Sequence, residues 1–334
     1  MWIQYGLVLL GFVLLYYGAE WLVKGSSNLA RSLGVTPLVI GLTVVAFGTS
    51  APELVVSAVA SIQGKSMIAV GNVVGSNICN IALILGLAAF LMPITSDKSV
   101  VRRDIPLMIA ISVYLLLISM NSTIGRLEGI TLFAGVIVYT IYNYRISNTN
   151  STVVLVAENG TTVTAELPAG GEELSDIGIV ESKTKQILLI IVGIAGVIVG
   201  AQVLIHAVVV VMKELGVSEK FIGLTIVAFG TSLPELATSV VAAMRKEMDI
   251  SIGNLIGSNV FNILGVIGLA AMVNPITIPG GFFESGLVID YWVMIAIGGI
   301  TWLMMQKRFM VSRISGFTLL CCYVGYLAYL IPHA

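Results

Sequence analysis

The sequence predicts an all-α membrane protein of ten transmembrane helices, built as two inverted five-helix repeats with helices 2 and 7 broken. Three observations predict it. Of 334 residues, 57% are hydrophobic and only 10% charged, against about 25% charged in a soluble domain. Ten stretches have roughly the 20 apolar residues that a bilayer crossing needs. Two sequence blocks also recur at one fixed offset of 182 residues.

The ten stretches are 3–23, 37–61, 67–91, 105–120, 127–144, 186–211, 221–243, 250–272, 286–305 and 314–331. The opening stretch lacks a basic leader and its first charges are Glu20 and Lys24, so it reads as an uncleaved span rather than a signal peptide. Of the 17 basic residues, thirteen fall on one side of this topology, and only Lys65, Arg126, Lys213 and Lys220 on the other. Positive loops stay inside, so both termini are expected outside the cell. The lipid bilayer is the expected surrounding. The net charge of -1 leaves no basic face for a nucleic-acid partner. Cys79, Cys321 and Cys322 are too few for a disulfide framework and read as small apolar fillers. No oligomeric state is read from the sequence.

Residues 1–145 form the first expected repeat and 185–334 the second. Between them, 146–184 is polar and carries Glu158, Glu166, Glu172, Glu173, Asp176 and Glu181. It reads as a solvated cytoplasmic linker. Within it, Val153–Val156 and Thr161–Leu167 flank Asn159-Gly160, which predicts a small β-hairpin.

The repeat is the most specific feature. Gly41-Leu-Thr-Val-Val-Ala-Phe-Gly-Thr-Ser-Ala-Pro-Glu53 returns as Gly223-Leu-Thr-Ile-Val-Ala-Phe-Gly-Thr-Ser-Leu-Pro-Glu235, with eleven of thirteen residues identical. Gly71-Asn-Val-Val-Gly-Ser-Asn-Ile-Cys-Asn80 returns as Gly253-Asn-Leu-Ile-Gly-Ser-Asn-Val-Phe-Asn262. Five spans is an odd number, so the second copy enters the membrane from the opposite side. Such inverted repeats are typical of secondary transporters, with the site near the midplane.

Glu53 and Glu235 fall midway along the second and seventh stretches. An intramembrane carboxylate costs about 2.5–3.5 kcal/mol on insertion scales, and no Lys or Arg lies at that depth. Two uncompensated carboxylates ask for a cation, and oxygen ligands favour Ca²⁺, Na⁺ or Mg²⁺. Pro52 and Pro234 should break their helices, with Gly48 and Gly230 relaxing the backbone, so that carbonyls over 46–49 and 228–231 are freed. Such bare backbone is tolerated where it lines a cavity, and the carbonyl end of a half-helix favours a cation. Thr49 and Glu53 are i and i+4, as are Thr231 and Glu235. In the second block, Gly71/Gly75 and Gly253/Gly257 are spaced for close helix packing. Ser76 with Asn80, and Ser258 with Asn262, offer neutral oxygens to an ion. Asn72, Asn77, Asn254 and Asn259 read as helix–helix hydrogen-bonders. Asp290 reads as interfacial and His206 as a packed histidine. No nucleophile–base pair stands out, so an enzyme is not expected, and no cofactor is implied.

These duplicated Gly-Thr-Ser-x-Pro-Glu and Gly-Ser-Asn blocks resemble the α-repeats of the cation/calcium exchanger superfamily, and within it the prokaryotic sodium/calcium exchanger branch. The cation/proton branch usually carries a glutamate where Val74-Gly75-Ser76 and Ile256-Gly257-Ser258 stand here. The resemblance covers both halves and not the linker. It implies that Ca²⁺ is held by Glu53, Glu235 and the carbonyls of Thr49 and Thr231. Na⁺ would share the glutamates and add Ser76, Ser258, Ala46, Ala228, Ser50 and Ser232, with Asn80 and Asn262 closing the middle. Asn262, where some relatives have Asp, argues against K⁺ co-transport. The resemblance further implies electrogenic Na⁺/Ca²⁺ antiport by alternating access, in which the first and sixth spans slide over the other eight. The rival readings are a Ca²⁺/H⁺ antiporter of the same fold and a passive cation channel.

Overall fold

The computed structural model describes residues 2–149, 152–156, 162–166, 178–215 and 228–333. Wherever they are described, the ten apolar stretches are helical. They are α1 (Trp2–Leu33), the pair α2 (Pro37–Thr49) and α3 (Ala51–Ile62), α4 (Ser66–Leu91), α5 (Ile105–Ser119), α6 (Arg126–Thr149), α7 (Lys183–Glu214), the pair α8 (Ala228–Gly230) and α9 (Leu233–Met244), α10 (Met248–Val273), α11 (Leu287–Met305) and α12 (Arg313–His333). Among the described residues, six helices are long and apolar enough to cross a membrane, or seven if α2 and α3 count as one span. The first part of the seventh stretch, 221–227, lies outside the described residues.

The chain is not purely helical. Strands β1 (Ile94–Thr95) and β2 (Thr123–Ile124) belong to loops of the first half. They pair antiparallel with β6 (Met310–Val311) and β5 (Ile276–Thr277), respectively, in loops of the second. Each ladder satisfies backbone groups that a loop would otherwise leave bare and ties one half to the other. In the linker, β3 (Thr152–Val156) pairs antiparallel with β4 (Thr162–Glu166), and the residues between them lie outside the described set.

Two bodies make the packing. The larger core gathers buried residues of α4, α5, α6, α10 and α11, such as Ile84, Leu115, Leu132, Ile267 and Tyr291. The smaller lies between α1 and α7 around Leu22 and Val197. Here glycine is decisive. A Cβ built on Gly18 would lie 2.6 Å from the backbone nitrogen of Val197. One on Gly193 would lie 2.5 Å from that of Leu22, and one on Gly200 would lie 2.7 Å from that of Leu15. Partners rise along α1 as they fall along α7, so the two helices run antiparallel with their backbones in contact.

One end of α1 is also tied to the loop after α9. Arg245 pairs with Glu20, and Ser27 Oγ donates to Glu247 Oε1 at 2.7 Å, with Arg31 3.6 Å from the same oxygen. That loop turns through Lys246 at φ 61°. Its repeat equivalent is Gly64, at φ 69°. A left-handed backbone strains a residue with a Cβ. Lys246→Gly is therefore expected to raise stability by about 0.5–1 kcal/mol, read as a higher melting temperature in detergent.

Candidate cation site

The site grows from the two helix breaks. Ser50 (φ −82°, ψ 9°) ends α2 and starts α3, and the two axes diverge by 47°. Ser232 (φ −87°, ψ 6°) does the same between α8 and α9. Proline opens each second half-helix, where its missing N–H would be unsatisfied anyway. Glu53 and Glu235 consequently sit in the first turns of α3 and α9. The positive end of a helix dipole faces each carboxylate and favours its charge by about 0.3–1 kcal/mol. The proline pattern alone pointed to the carbonyl end of the break and missed this second contribution.

Both carboxylates are completely buried, and among the described residues the ion pairs of Arg31, Arg103 and Arg245 involve neither. They are held by hydroxyls from the opposite half. Ser50 Oγ donates to Glu235 Oε1 at 3.0 Å, and its repeat equivalent Ser232 donates to Glu53 Oε1 at 3.4 Å. The hydroxyls of Thr49 and Ser258 also face Glu235, and that of Thr231 faces Glu53. The carboxylates are close enough that the charge of Glu235 acts on Glu53. The second oxygens, Glu53 Oε2 and Glu235 Oε2, are buried and accept nothing.

Ser76 Oγ, Asn80 Oδ1, Thr231 Oγ1 and Asn262 Oδ1 are likewise buried without a partner. Buried polar atoms are normally paired; these unpartnered carboxylate, hydroxyl and amide oxygens are of the kind that ligate hard cations. Thr238 Oγ1 is a further orphan on the same helix as Glu235; its repeat equivalent is Val56, so the repeat could not point to it. Among the described residues no three His, Cys, Asp or Glu gather as a metal cluster, which limits the acidic charge here to two carboxylates.

The remaining candidates divide. Thr49 Oγ1 donates to Asn254 Oδ1 at 3.0 Å and stands 3.5 Å from Ser258 Oγ, so Thr49 and Ser258 meet. The Ala46 carbonyl is not freed: it accepts the Ser50 N–H at 3.0 Å, because Pro52 removes only the bond to the carbonyl four residues before it, that of Gly48. In the second half Ser232 N–H bonds to Phe229 O at 3.1 Å instead, so the breaks are similar but not identical. Ala228 is the first described residue of α8, and its side chain lies outside the described set.

Some non-ligand expectations need correction. Gly48 and Gly230 do more than relax the backbone: a Cβ on either would collide with Ile194 or Ile205 of α7. They are notches that seat that helix against both breaks. Gly253 and Gly257 pack on the backbone of α2 around Leu38 and Leu42. Gly71 and Gly75 meet no described atom within 4 Å; the repeat equivalents of Leu38 and Leu42, at 220 and 224, lie outside the described residues. Asn72 and Asn254 bridge neighbouring helices by donating to Ser57 Oγ (2.9 Å) and Ser239 Oγ (3.0 Å). Asp290 accepts from Tyr326 Oη at 2.9 Å, and His206 is exposed rather than packed. The feature wholly absent from the sequence reading is a widened, π-helical turn at Cys79–Leu85 and Asn262–Ile267. Asn80 and Asn262 stand at its start, and such turns frequently mark functional sites.

A helical membrane bundle with a buried, two-carboxylate cluster of oxygens defines a transporter of hard cations. Comparison with known proteins agrees. A family model described as "Sodium/calcium exchanger protein" matches residues 3–145 and 185–331. The sodium/calcium exchanger MaX1 of Methanosarcina acetivorans is 32% identical over 98% of both chains. The inner membrane protein YrbG of Escherichia coli is 36% identical over 90% of this chain and 88% of its own. A solved structure of the sodium-calcium exchanger NCX_Mj, soaked with Na⁺ and Ca²⁺, superposes with a TM-score of 0.78 at 31% identity, covering 98% of each chain. The chain belongs to the sodium/calcium exchanger protein family, whose members are ion-exchanging transporters rather than enzymes.

Proposed function

We propose that this protein exchanges Na⁺ for Ca²⁺ across the cell membrane by alternating access and that the exchange is electrogenic. The observation that carries the reading is the pair of buried carboxylates, Glu53 and Glu235, each with one oxygen left without a partner and neither in the ion pairs that Arg31, Arg103 and Arg245 make. With Asn at 80 and 262 the site has a formal charge of −2 when both glutamates are ionised. One Ca²⁺ neutralises it. Several Na⁺ bound at overlapping positions bring more charge, so each turnover moves net charge. Shared glutamates make the two ions compete, and the cost of carrying bare carboxylates through the membrane keeps the empty carrier from crossing. Glu53, Glu235, Thr49 and Thr231 serve Ca²⁺; Ser50, Ser232, Ala228, Ser76 and Ser258 complete the Na⁺ positions together with the second lone pair of the Ala46 carbonyl, with Asn80 and Asn262 between.

On this reading the ten helices are two inverted repeats, both termini lie outside and 146–184 is cytoplasmic. The α1–α7 pair, with its close glycine seam, slides as one body over the other eight. The test is ⁴⁵Ca²⁺ uptake into proteoliposomes loaded with Na⁺ and diluted into Na⁺-free buffer. Uptake should need internal Na⁺, need no K⁺ or pH gradient, and accelerate when valinomycin with external K⁺ sets the interior positive, because net positive charge leaves with Na⁺. Uptake that follows a pH gradient and ignores Na⁺ would replace this reading with Ca²⁺/H⁺ antiport. Flux without any counter-ion gradient would replace it with a channel.

A further inference from the structure

We propose that Asn77 and Asn259, which have no place among the cation ligands, are positioning residues that turn the amide oxygens of Asn262 and Asn80 into the site. The inference rests on the exchange reading above and deepens it. Asn80 Nδ2 donates to Asn259 Oδ1 at 3.2 Å, and Asn262 Nδ2 donates to Asn77 Oδ1 at 3.1 Å. The offset of 182 converts one bond into the other, so the arrangement is present twice. Each bond takes the nitrogen of a site amide and leaves its oxygen, Asn80 Oδ1 or Asn262 Oδ1, buried with no partner.

The positioning amides are themselves held. Asn77 Nδ2 donates to the Asn259 carbonyl at 3.2 Å and points at Met294 Sδ at 3.7 Å. Asn259 Nδ2 points at Met108 Sδ at 3.5 Å. Rotating Asn77 by half a turn would set its oxygen against the Asn259 carbonyl and its nitrogen against the nitrogen of Asn262. Rotating Asn259 would set two nitrogens together at Asn80. Both alternatives leave buried donors facing donors, a loss this low-dielectric interior makes large. A carboxamide offers either a donor or an acceptor face. The crossed pairs therefore decide that the site sees two neutral oxygens rather than two N–H groups that would repel a cation.

Outer partners of ligating groups commonly change metal affinity 10–100-fold. Purified Asn77→Ala and Asn259→Ala proteins in detergent should each bind ⁴⁵Ca²⁺ about 10-fold more weakly while remaining folded and monodisperse in ion-free buffer, with a lowered melting temperature from the lost buried hydrogen bond. The crossed wiring supplies the specific readout. Asn77→Ala should add nothing to Asn262→Ala, and Asn259→Ala nothing to Asn80→Ala, whereas Asn77→Ala with Asn80→Ala should lose affinity additively. If Asn77→Ala fails to fold, Asn77→Thr, which keeps an acceptor oxygen, serves in the same cycle and should lose less. Unchanged Ca²⁺ binding in a folded variant, or equal additivity in every pairing, overturns the positioning role. Failure of the unchanged protein to bind Ca²⁺ would instead overturn the exchange reading on which it rests.

Discussion

Glu53→Gln and Glu235→Gln are each expected to lower Na⁺-dependent Ca²⁺ uptake to the level of protein-free liposomes while leaving the fold intact. Glutamine keeps the shape and an acceptor for Ser232 or Ser50, but it halves the formal charge of the site. A divalent ion would then carry an uncompensated positive charge into the membrane interior, where a bare charge costs about 2.5–3.5 kcal/mol. That alone is roughly 60- to 300-fold in binding, at a factor of 10 per 1.4 kcal/mol. The sign reverses for stability without ions. Removing one of two mutually repelling, buried carboxylates should raise the melting temperature in ion-free detergent, and the rise produced by adding Ca²⁺ in the unchanged protein should disappear. Normal uptake in either variant would remove Glu53 and Glu235 from the site.

The second large effect is expected at the seam between α1 and α7. Gly18→Val and Gly193→Val place side chains where even a Cβ would stand 2.6 Å from Val197 N or 2.5 Å from Leu22 N. The obstacle is backbone, so no rotamer change relieves it. Overpacking a tight contact costs about 1–3 kcal/mol per site, and the double variant should approach the whole stability of a marginal fold. Loss of the monodisperse peak in detergent chromatography is the expected readout for the pair of changes. A milder Gly18→Ala should stay folded with exchange slowed. Gly299→Ala is the control: nothing stands within 4 Å of a Cβ there, and neither stability nor transport should change. Full transport in the double valine variant would show that the two helices do not need backbone contact.

Much of this architecture was written in the sequence because the repeat reports on itself. Two copies of a proline followed by a glutamate, each amid an apolar run, located both breaks, and the offset paired Ser50 with Ser232 before any contact was seen. What stayed hidden depends on which surfaces meet. Gly48 reads as a loosener of backbone next to Pro52, yet its neighbour is Ile194, a residue 146 positions on. Ala46 reads as a freed carbonyl, yet the register of the break gives it the Ser50 N–H. The π-turn starting near Asn80 leaves no mark in composition or periodicity. The direction of each amide in the Asn77–Asn262 and Asn80–Asn259 pairs is likewise a property of three-dimensional neighbours.

The ties at one end of α1 have a consequence for populations. A carrier made of two identical inverted halves would spend equal time open to each side, since exchanging the halves exchanges the two states. This chain is not identical at its two ends. The counterparts of Glu20 and Arg245 are Gln202 and Gln63, and those of Ser27 and Glu247 are Val209 and Lys65, so neither ion pair nor hydroxyl–carboxylate bond can be repeated there. A partly exposed pair of this kind is worth about 0.2–1 kcal/mol, and the upper value corresponds to roughly fivefold in an equilibrium. On the proposed alternating-access mechanism, the duplication would supply a balanced two-state device, and a handful of unshared polar residues would set its idle position. If the carrier alternates as proposed, substitutions at Glu20, Ser27, Arg245 and Glu247, at one end of α1 and in the loop after α9, would shift which face of the membrane the resting protein samples.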